Sequence, residues 1–355
     1  MERIVYILGA GFSAPLGLPV VRNFLFRAKD LFTAQPVKLA HFKEVLDEID
    51  DLARVKNYFS SDLFDIEEIL SILEMRAQFD GDNLPERFSR FVYDVVDLST
   101  PAIPLLKPPL PTMHALNATL NPQWAGHASF VAAILNLHFW NEADGVQLGA
   151  IDEPLIRYDV VSLNYDLTLE RAVSLLMMSP SAYKSYGGGE VTFTRRQADH
   201  DSQPKRPRLA KLHGSIGEVS IVPPTWRKEV DDTILDQWRA AKSVLSQANE
   251  IRILGYSLPQ SDAYIRYLLK AAASEAPNLK KIDVFTLDSD GGTERRFREF
   301  ISFKETMFVS GQIGEYLHEL SLPWGERHET VTVGGEARQG FGINLERVHN
   351  RYMGR

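Results

Sequence analysis

Ile4-Val5-Tyr6-Ile7-Leu8 is a short apolar run rich in β-branched residues, halted at once by Gly9-Ala10-Gly11. A continuous apolar run of this length, ended by glycines, predicts a parallel strand buried on both faces. From about residue 20 to 140 the pattern turns helical. Phe42, Val45, Leu46, Ile49 and Leu52 share one helix face, and so do Ile66, Ile69, Leu70 and Leu73. Asp65 with Glu68 fits a capping box for the second helix or its continuation. Pro101, Pro104, Pro108, Pro109 and Pro111 predict a loop over 101–111, and Phe130–Phe139 resumes as helix.

The strand signal returns at Val160–Leu163, Leu209–Leu212, Ile251–Leu254 and Ile282–Leu287. The charges of 193–208 (Arg195, Arg196, Asp199, Asp201, Lys205, Arg206) read as a solvated loop between two of these strands. Residues 325–355 contain Gly334-Gly335, Gly340 and Gly342 with little periodicity, so they read as an appended arm, suited to oligomer or partner contacts. There is no internal repeat. The order of strand, helical block, then strands alternating with helices predicts an α/β fold: a Rossmann-like parallel sheet with a helical lobe inserted after the first βα unit. The expected division is 1–25 with 151–324 as the Rossmann-like domain, 26–150 as the helical insertion lobe, and 325–355 as the C-terminal arm.

Composition narrows the function classes. The 355 residues are 44% hydrophobic, ample for one large α/β core plus a smaller lobe, or for two domains. Lys+Arg 39 against Asp+Glu 47 leave a formal charge of −8 with no long run of one sign. Broad nucleic-acid or anionic-membrane binding is disfavoured accordingly. No stretch reaches the roughly 18 uninterrupted apolar residues of a membrane span, and the chain opens as a strand instead of a signal peptide. Cysteine is absent, which excludes disulfides and thiolate-ligated zinc or iron–sulfur sites and agrees with a cytoplasmic address.

Gly9-x-Gly11-x-x-Ala14 after a strand is the setting of a dinucleotide fingerprint. Small residues admit a pyrophosphate to the backbone, and amides at a helix N-terminus face its charge. Alone, the same residues are as readily a plain tight turn. A dehydrogenase also needs a second strand ending in an acidic residue about 20 positions on. Here that interval is helical, with Asp30 inside it, which argues against hydride transfer.

The pattern extends further. Gly9-Ala10-Gly11-Phe12-Ser13, followed by Gly17-Leu18-Pro19-Val20-Val21-Arg22, resembles the sirtuin signature G-A-G-x-S with G-I-P-x-F-R. Ser162-Leu163-Asn164-Tyr165-Asp166 is similar to the family's T-Q-N-I-D, and Lys211-Leu212-His213-Gly214-Ser215 resembles its catalytic His-Gly. Leu254-Gly255-Tyr256-Ser257-Leu258-Pro259 stands where sirtuins carry G-T-S-L, and Ile282–Asp288 is similar to the last strand, which ends near the adenosine. The blocks occur in the family's order and cover mainly 3–25 and 155–300. Two departures matter. The four zinc-binding cysteines of the deacylases are missing, and Val21 replaces the phenylalanine of P-x-F-R. With Gly-Tyr-Ser-Leu-Pro and the Asp65–Leu70 helix, the chain is similar to the divergent bacterial branch. Members of that branch hydrolyse NAD in antiphage defence, often alongside a HerA-type ATPase or a short Argonaute.

The resemblance therefore implies an NAD glycohydrolase with Asn164 and His213 as catalytic residues and no metal. NAD is its substrate, a homo-oligomer its expected assembly, and an ATPase/helicase or Argonaute-type protein its expected partner. Cleaving the nicotinamide–ribose bond passes through an oxocarbenium-like centre and requires a fixed ribose, controlled water and one managed proton. Asn164 offers a carboxamide for ribose hydroxyls or a water. His213, with an ordinary imidazole pKa near 6.5, takes a proton from water or a ribose hydroxyl at cellular pH. Gly9, Ala10, Gly11 and Ser13 form the phosphate loop, and Arg22 suits charge-assisted bonds to the phosphates. The resemblance places Asp166 at the nicotinamide carboxamide and Gly255, Ser257 and Asp288 along the adenosine half. Structural readings stand beside these. Asn164 is equally a turn former, His213 a strand-end residue, and Asp166 a cap for a helix beginning at Leu167. His41, His114, His127 and His138 read as structural. The other function classes left open are a subunit that senses NAD or ADP-ribose without turnover and, less favoured, a protein deacylase.

Overall fold

The computed structural model describes residues 1–55, 66–80, 84–103, 122–142, 145–177, 192–195, 205–216 and 232–355. Strand β1 (Glu2–Leu8) leads through 3-10 turns to α1 (Phe24–Ala34), α2 (Phe42–Val55), α3 (Ile66–Asp80) and α4 (Leu84–Ser99). Helix α5 (Pro122–Ile134) precedes β2 (Leu137–Glu142) and β3 (Gly145–Ala150). Next come β4 (Ile156–Ser162), α6 (Thr168–Met177), β5 (Leu209–Lys211), α7 (Asp232–Ser246), β6 (Glu250–Leu254) and α8 (Ala263–Ser274). The chain closes with β7 (Lys281–Thr286), α9 (Gly292–Phe300), β8 (Thr306–Ser310), α10 (Ile313–Leu320), β9 (Glu326–Val333), β10 (Glu336–Ile343) and α11 (Leu345–Tyr352).

Six strands form one sheet in the order β5-β4-β1-β6-β7-β8, each parallel to its neighbours. Numbered within that sheet the order is 3-2-1-4-5-6, the doubly wound arrangement of dinucleotide-binding domains. The strand order reverses between β1 and β6, and such a switch point opens a crevice beyond the carboxyl ends of the strands. The apolar run of β1 follows from its place at the centre. Ile4, Tyr6 and Leu8 enter the core on one face, and Val5 and Ile7 enter the other, so both faces of this strand are packed. The second face is closed by Ala240, Val244 and Leu245 of α7 and by Ile265 and Leu268 of α8. The first is closed by α5, α6 and α10 and continues into the helical lobe.

The lobe follows its periodicity. All five residues of the Phe42 stripe are buried, as are Ile66, Ile69 and Leu73, and α4 packs against α1, α2 and α3. Asp65, the side chain of Leu70 and most of the proline loop lie outside the described residues. The helical reading fails beyond Ile134, because 137–150 form the antiparallel pair β2–β3.

That pair belongs to a second, four-stranded antiparallel sheet of order β3-β2-β10-β9. Residues 325–355 therefore do not form the aperiodic arm expected from their sequence. Gly334 and Gly335, both at positive φ (60° and 82°), make the two-residue turn joining β9 to β10. Phe341 of β10 stacks on Phe139 of β2 at 5.4 Å. Helix α11 then locks onto the parallel sheet. Arg252, wholly buried, donates to both Glu346 carboxylate oxygens at 2.8 and 2.6 Å, to Glu250 Oε1 at 2.7 Å and to the Tyr6 hydroxyl at 2.7 Å. Asp283 accepts two bonds from Arg355, at 2.9 and 3.0 Å, and lies 3.0 Å from His349 Nε2.

The 193–208 segment also departs from expectation. Arg206 and Arg208 are buried, and Thr194 bridges to Arg208 beside the edge of β5, so this end of the segment is packed and not solvated. Among the described residues no helix is long and apolar enough to cross a membrane.

Candidate functional site at the switch point

Ladder bonds run past the strand ends and align four loops. Leu163 N–H donates to Leu8 O at 2.9 Å, Leu212 N–H to Ser162 O at 3.0 Å, and Gly9 N–H to Leu254 O at 3.0 Å. The loops after β1, β4, β5 and β6 thus leave the sheet side by side at its carboxyl edge.

The glycines of the first loop answer to the fourth. Gly11 N–H donates to Gly255 O at 2.9 Å. A Cβ on Gly11 would stand 2.8 Å from Gly255 backbone atoms, and one on Gly255, whose φ is +63°, would stand 2.5 Å from Phe12 N. The close approach inferred for a pyrophosphate is thus filled, at Gly11, by the protein's own backbone. The loop also leads into 3-10 turns, Ala10–Phe12 and Ala14–Leu16, instead of opening a helix. The first α-helix starts only at Phe24, so the expected row of helix N-terminal amides is not formed here. Helix α5 holds this loop from above. His127 Nε2–H donates to Phe12 O at 2.9 Å, and Gln123 Nε2 donates to Leu16 O at 3.0 Å. Burial pushes the His127 imidazole down to about 4, against the pull of the Phe12 and Gln123 carbonyls.

Asn164, 8% exposed, reaches back across the switch point. Its Nδ2 donates to Gly9 O at 3.0 Å and to Ser13 Oγ at 3.2 Å, while its Oδ1 takes no part in those two bonds. Asp166 Oδ1 accepts the Thr168 N–H at 2.8 Å and so caps α6, the structural reading open to it from sequence. Ser13, Asn164 and Asp166 line one narrow cleft, together with Glu170 and Lys211. The cleft is closed down too far to admit a ligand, against the roughly 300–1,000 Å³ usual for small-molecule sites.

His213 follows β5 and is buried to 1%, its ring 5.9 Å from that of Tyr165, the neighbour of Asn164. The backbone links the two loops directly, with Ile216 N–H donating to Tyr165 O at 2.9 Å. The remaining candidates spread outward. Ala10 sits in the first 3-10 turn, half-buried. Ser257 is exposed, its carbonyl accepting Arg296 Nε at 3.1 Å. Asp288 caps α9 by accepting Thr293 and Glu294 N–H at 3.2 and 2.9 Å. Those backbone bonds outweigh the effect of burial and hold its carboxyl below the usual range. Arg22 is exposed on the turn Val21–Asn23, outside the cavity lining. Sequence reasoning passed over Glu170 and Lys211. The available signal was a charged residue inside an otherwise apolar strand end, Leu209-Ala210-Lys211-Leu212.

Of the histidines read as structural, His41 bonds Asp94 at 2.7 Å and His138 is buried in β2, while His114 lies outside the described residues.

A family model described as the SIR2-like domain matches residues 159–308, from β4 to β8. This part of the chain is similar to the SIR2-like domain. The match takes in Asn164, Asp166, His213, Gly255, Ser257 and Asp288; the glycine loop lies before it. No curated protein matches the chain. Among solved structures, Sir2 with a p53 peptide and NAD+ is similar at 13% identity, over 89% of this chain and 91% of that one, with a TM-score of 0.37. Sir2 with the inhibitor EX-527, 2′-O-acetyl-ADP-ribose and deacetylated p53 peptide is similar at 14% identity and the same coverage, with a TM-score of 0.34. At such values the likeness adds no argument, and the fold assignment rests on the strand order itself.

Proposed function

We propose that the protein is an NAD glycohydrolase, with Asn164 and His213 as its catalytic residues. The observation that carries the reading is the position of Asn164. Its carboxamide spans the switch point from β4 to the Gly9–Ser13 loop and lines the cavity, where a doubly wound sheet receives its ligand. The donor set of a carboxamide and a carboxylate beside the glycine loop suits the nicotinamide–ribose end of NAD once the cleft opens.

In the proposed reaction the ribose C1′–nitrogen bond breaks and the electron pair leaves with neutral nicotinamide. Water adds to C1′, its proton passes to His213 and then to solvent, and ADP-ribose is the second product. Asn164 holds the ribose or the water in its attacking position, which leaves an oriented intramolecular-like encounter. Asp166, by its second carboxylate oxygen, is assigned to the nicotinamide carboxamide. Gly9, Ala10, Ser13 and Arg22 are assigned to the phosphates, with Gly11 shaping their loop against Gly255, and Gly255, Ser257 and Asp288 to the adenosine half. A cavity this small has to open before a dinucleotide enters, which fits an enzyme held in check until a partner or a second copy engages it. The proposed setting is NAD depletion in antiphage defence, with a HerA-type ATPase or short Argonaute as the partner class.

The same small cavity also favours a second reading, a sensor that binds NAD or ADP-ribose without turnover. Incubation of the full chain with NAD, followed by chromatography, separates the readings. Nicotinamide with equimolar ADP-ribose supports the hydrolase; NAD bound and recovered intact supports the sensor. Release that depends on an added acetylated peptide would indicate a deacylase.

A further inference from the structure

Lys211 ends the edge strand β5 with 1% of its surface exposed, and it is among the residues that line the cleft. Its Nζ donates to the Asp166 carbonyl oxygen, to Ser215 Oγ at 2.9 Å and to Glu170 Oε1 at 3.3 Å. An ammonium has three protons, and here three acceptors take them. The acceptors lie on different segments. Asp166 belongs to the loop that carries Asn164, Ser215 to the loop that carries His213, and Glu170 to the first turn of α6. Glu170 supplies the countercharge and shares it with Arg195 at 3.7 Å. Stability alone gives no reason for this choice, because an apolar side chain in place of a buried ion pair is often neutral or stabilising. A three-way anchor between two site loops is what the ammonium adds.

We propose that Lys211 is a positioning residue whose ammonium holds the Asn164 and His213 loops in register across the cavity and thereby sets the rate of the reaction. This rests on the NAD-cleaving reading above. Glu170 holds the ammonium in place, and the chemistry remains with Asn164 and His213.

The test uses the full chain as Lys211→Met, which keeps length and removes charge, and as Ser215→Ala, which removes one acceptor and spares the fold if the first variant fails to accumulate. Amide hydrogen exchange and nicotinamide release are measured together. Expected for Lys211→Met is exchange faster by about tenfold at 164–168 and 213–216 with β1 and β6 unchanged. Its kcat should fall by about 10²-fold while KM stays within about threefold. Ser215→Ala should loosen 213–216 alone, with a smaller loss of kcat. Exchange that rises equally throughout the sheet, or kcat per folded molecule that stays at the parental value, overturns the proposal. If the parent itself releases no nicotinamide, the functional reading falls and exchange alone decides: selective loosening of the two loops supports the anchor, and any other pattern overturns it.

Discussion

The two ends of the parallel sheet bury polar groups in opposite ways. At the amino end, Arg252, Glu250, Glu346, Asp283, His349 and Arg355 form a closed ionic network under α11, with Lys281 also 2.6 Å from Glu250. Glu250, Asp283 and His349 have the spacing of metal ligands, their atoms lying within 4.8 Å, but cationic side chains already occupy them. Burial pushes Glu346 and Asp283 up, yet the bonds from Arg252, and from His349 and Arg355, hold both below their usual values. Burial and the Arg252 charge push His349 down to about 4. At the carboxyl end charged and uncharged groups together, Ser13, Asn164, Asp166, Glu170 and Lys211, line a cleft, and the bonds of Asn164 and Asp166 to the protein each use one polar atom. A network satisfied on every side fixes a structure; polar groups left with capacity around a space are available to a ligand.

Substitutions at the two ends should therefore separate activity from stability. Asn164→Ala is expected to lower nicotinamide release by about 10²–10⁴-fold with NAD affinity largely kept, read by steady-state kinetics and calorimetry. Arg252→Met should do the reverse. It leaves Glu346 without Arg252 and Glu250 with Lys281 alone, and costs on the order of 3–5 kcal/mol in urea unfolding, while turnover per folded molecule holds. If Arg252→Met were to abolish turnover at full stability, the contrast between the ends would be wrong.

Acid should act through the buried histidines. His127 and His349 have folded values of about 4, below the unfolded 6.5, so the unfolded chain binds protons first as pH falls. Stability present above pH 6.5 is lost between there and 4, each histidine contributing on the order of 3 kcal/mol. Urea unfolding across that range checks the sign, and His127→Gln should flatten the slope. Gly255→Ala is expected to cost about 2 kcal/mol from its positive φ and the clash at Phe12, seen as a lowered Tm.

Much of the fold was legible because both faces of the sheet are covered, which leaves runs such as Ile4–Leu8 unmistakable, and because the Phe42 stripe keeps one helical face. The site loops were legible through their motifs. What escaped was the second sheet. Glu326–Val333 is half exposed and carries Thr, Glu and His where a core strand would carry apolar residues, so only the Gly334-Gly335 turn announced it. The packing of Arg206 and Arg208 escaped because burial of a charge depends on distant partners that local pattern does not encode. For the same reason spacing foretold neither that Gly11 meets Gly255 nor that Lys211 bridges two loops.

The central claim is that the carboxyl end of the sheet cleaves NAD through His213. Because His213 is buried, glutamine is the replacement that keeps its volume while removing a proton acceptor. Nicotinamide release from NAD by the parent and by His213→Gln, compared at equal folded fraction, tests it directly. The account predicts release by the parent and a loss of about 10²–10⁴-fold in the variant. A folded His213→Gln protein that releases nicotinamide at the parental rate would contradict it.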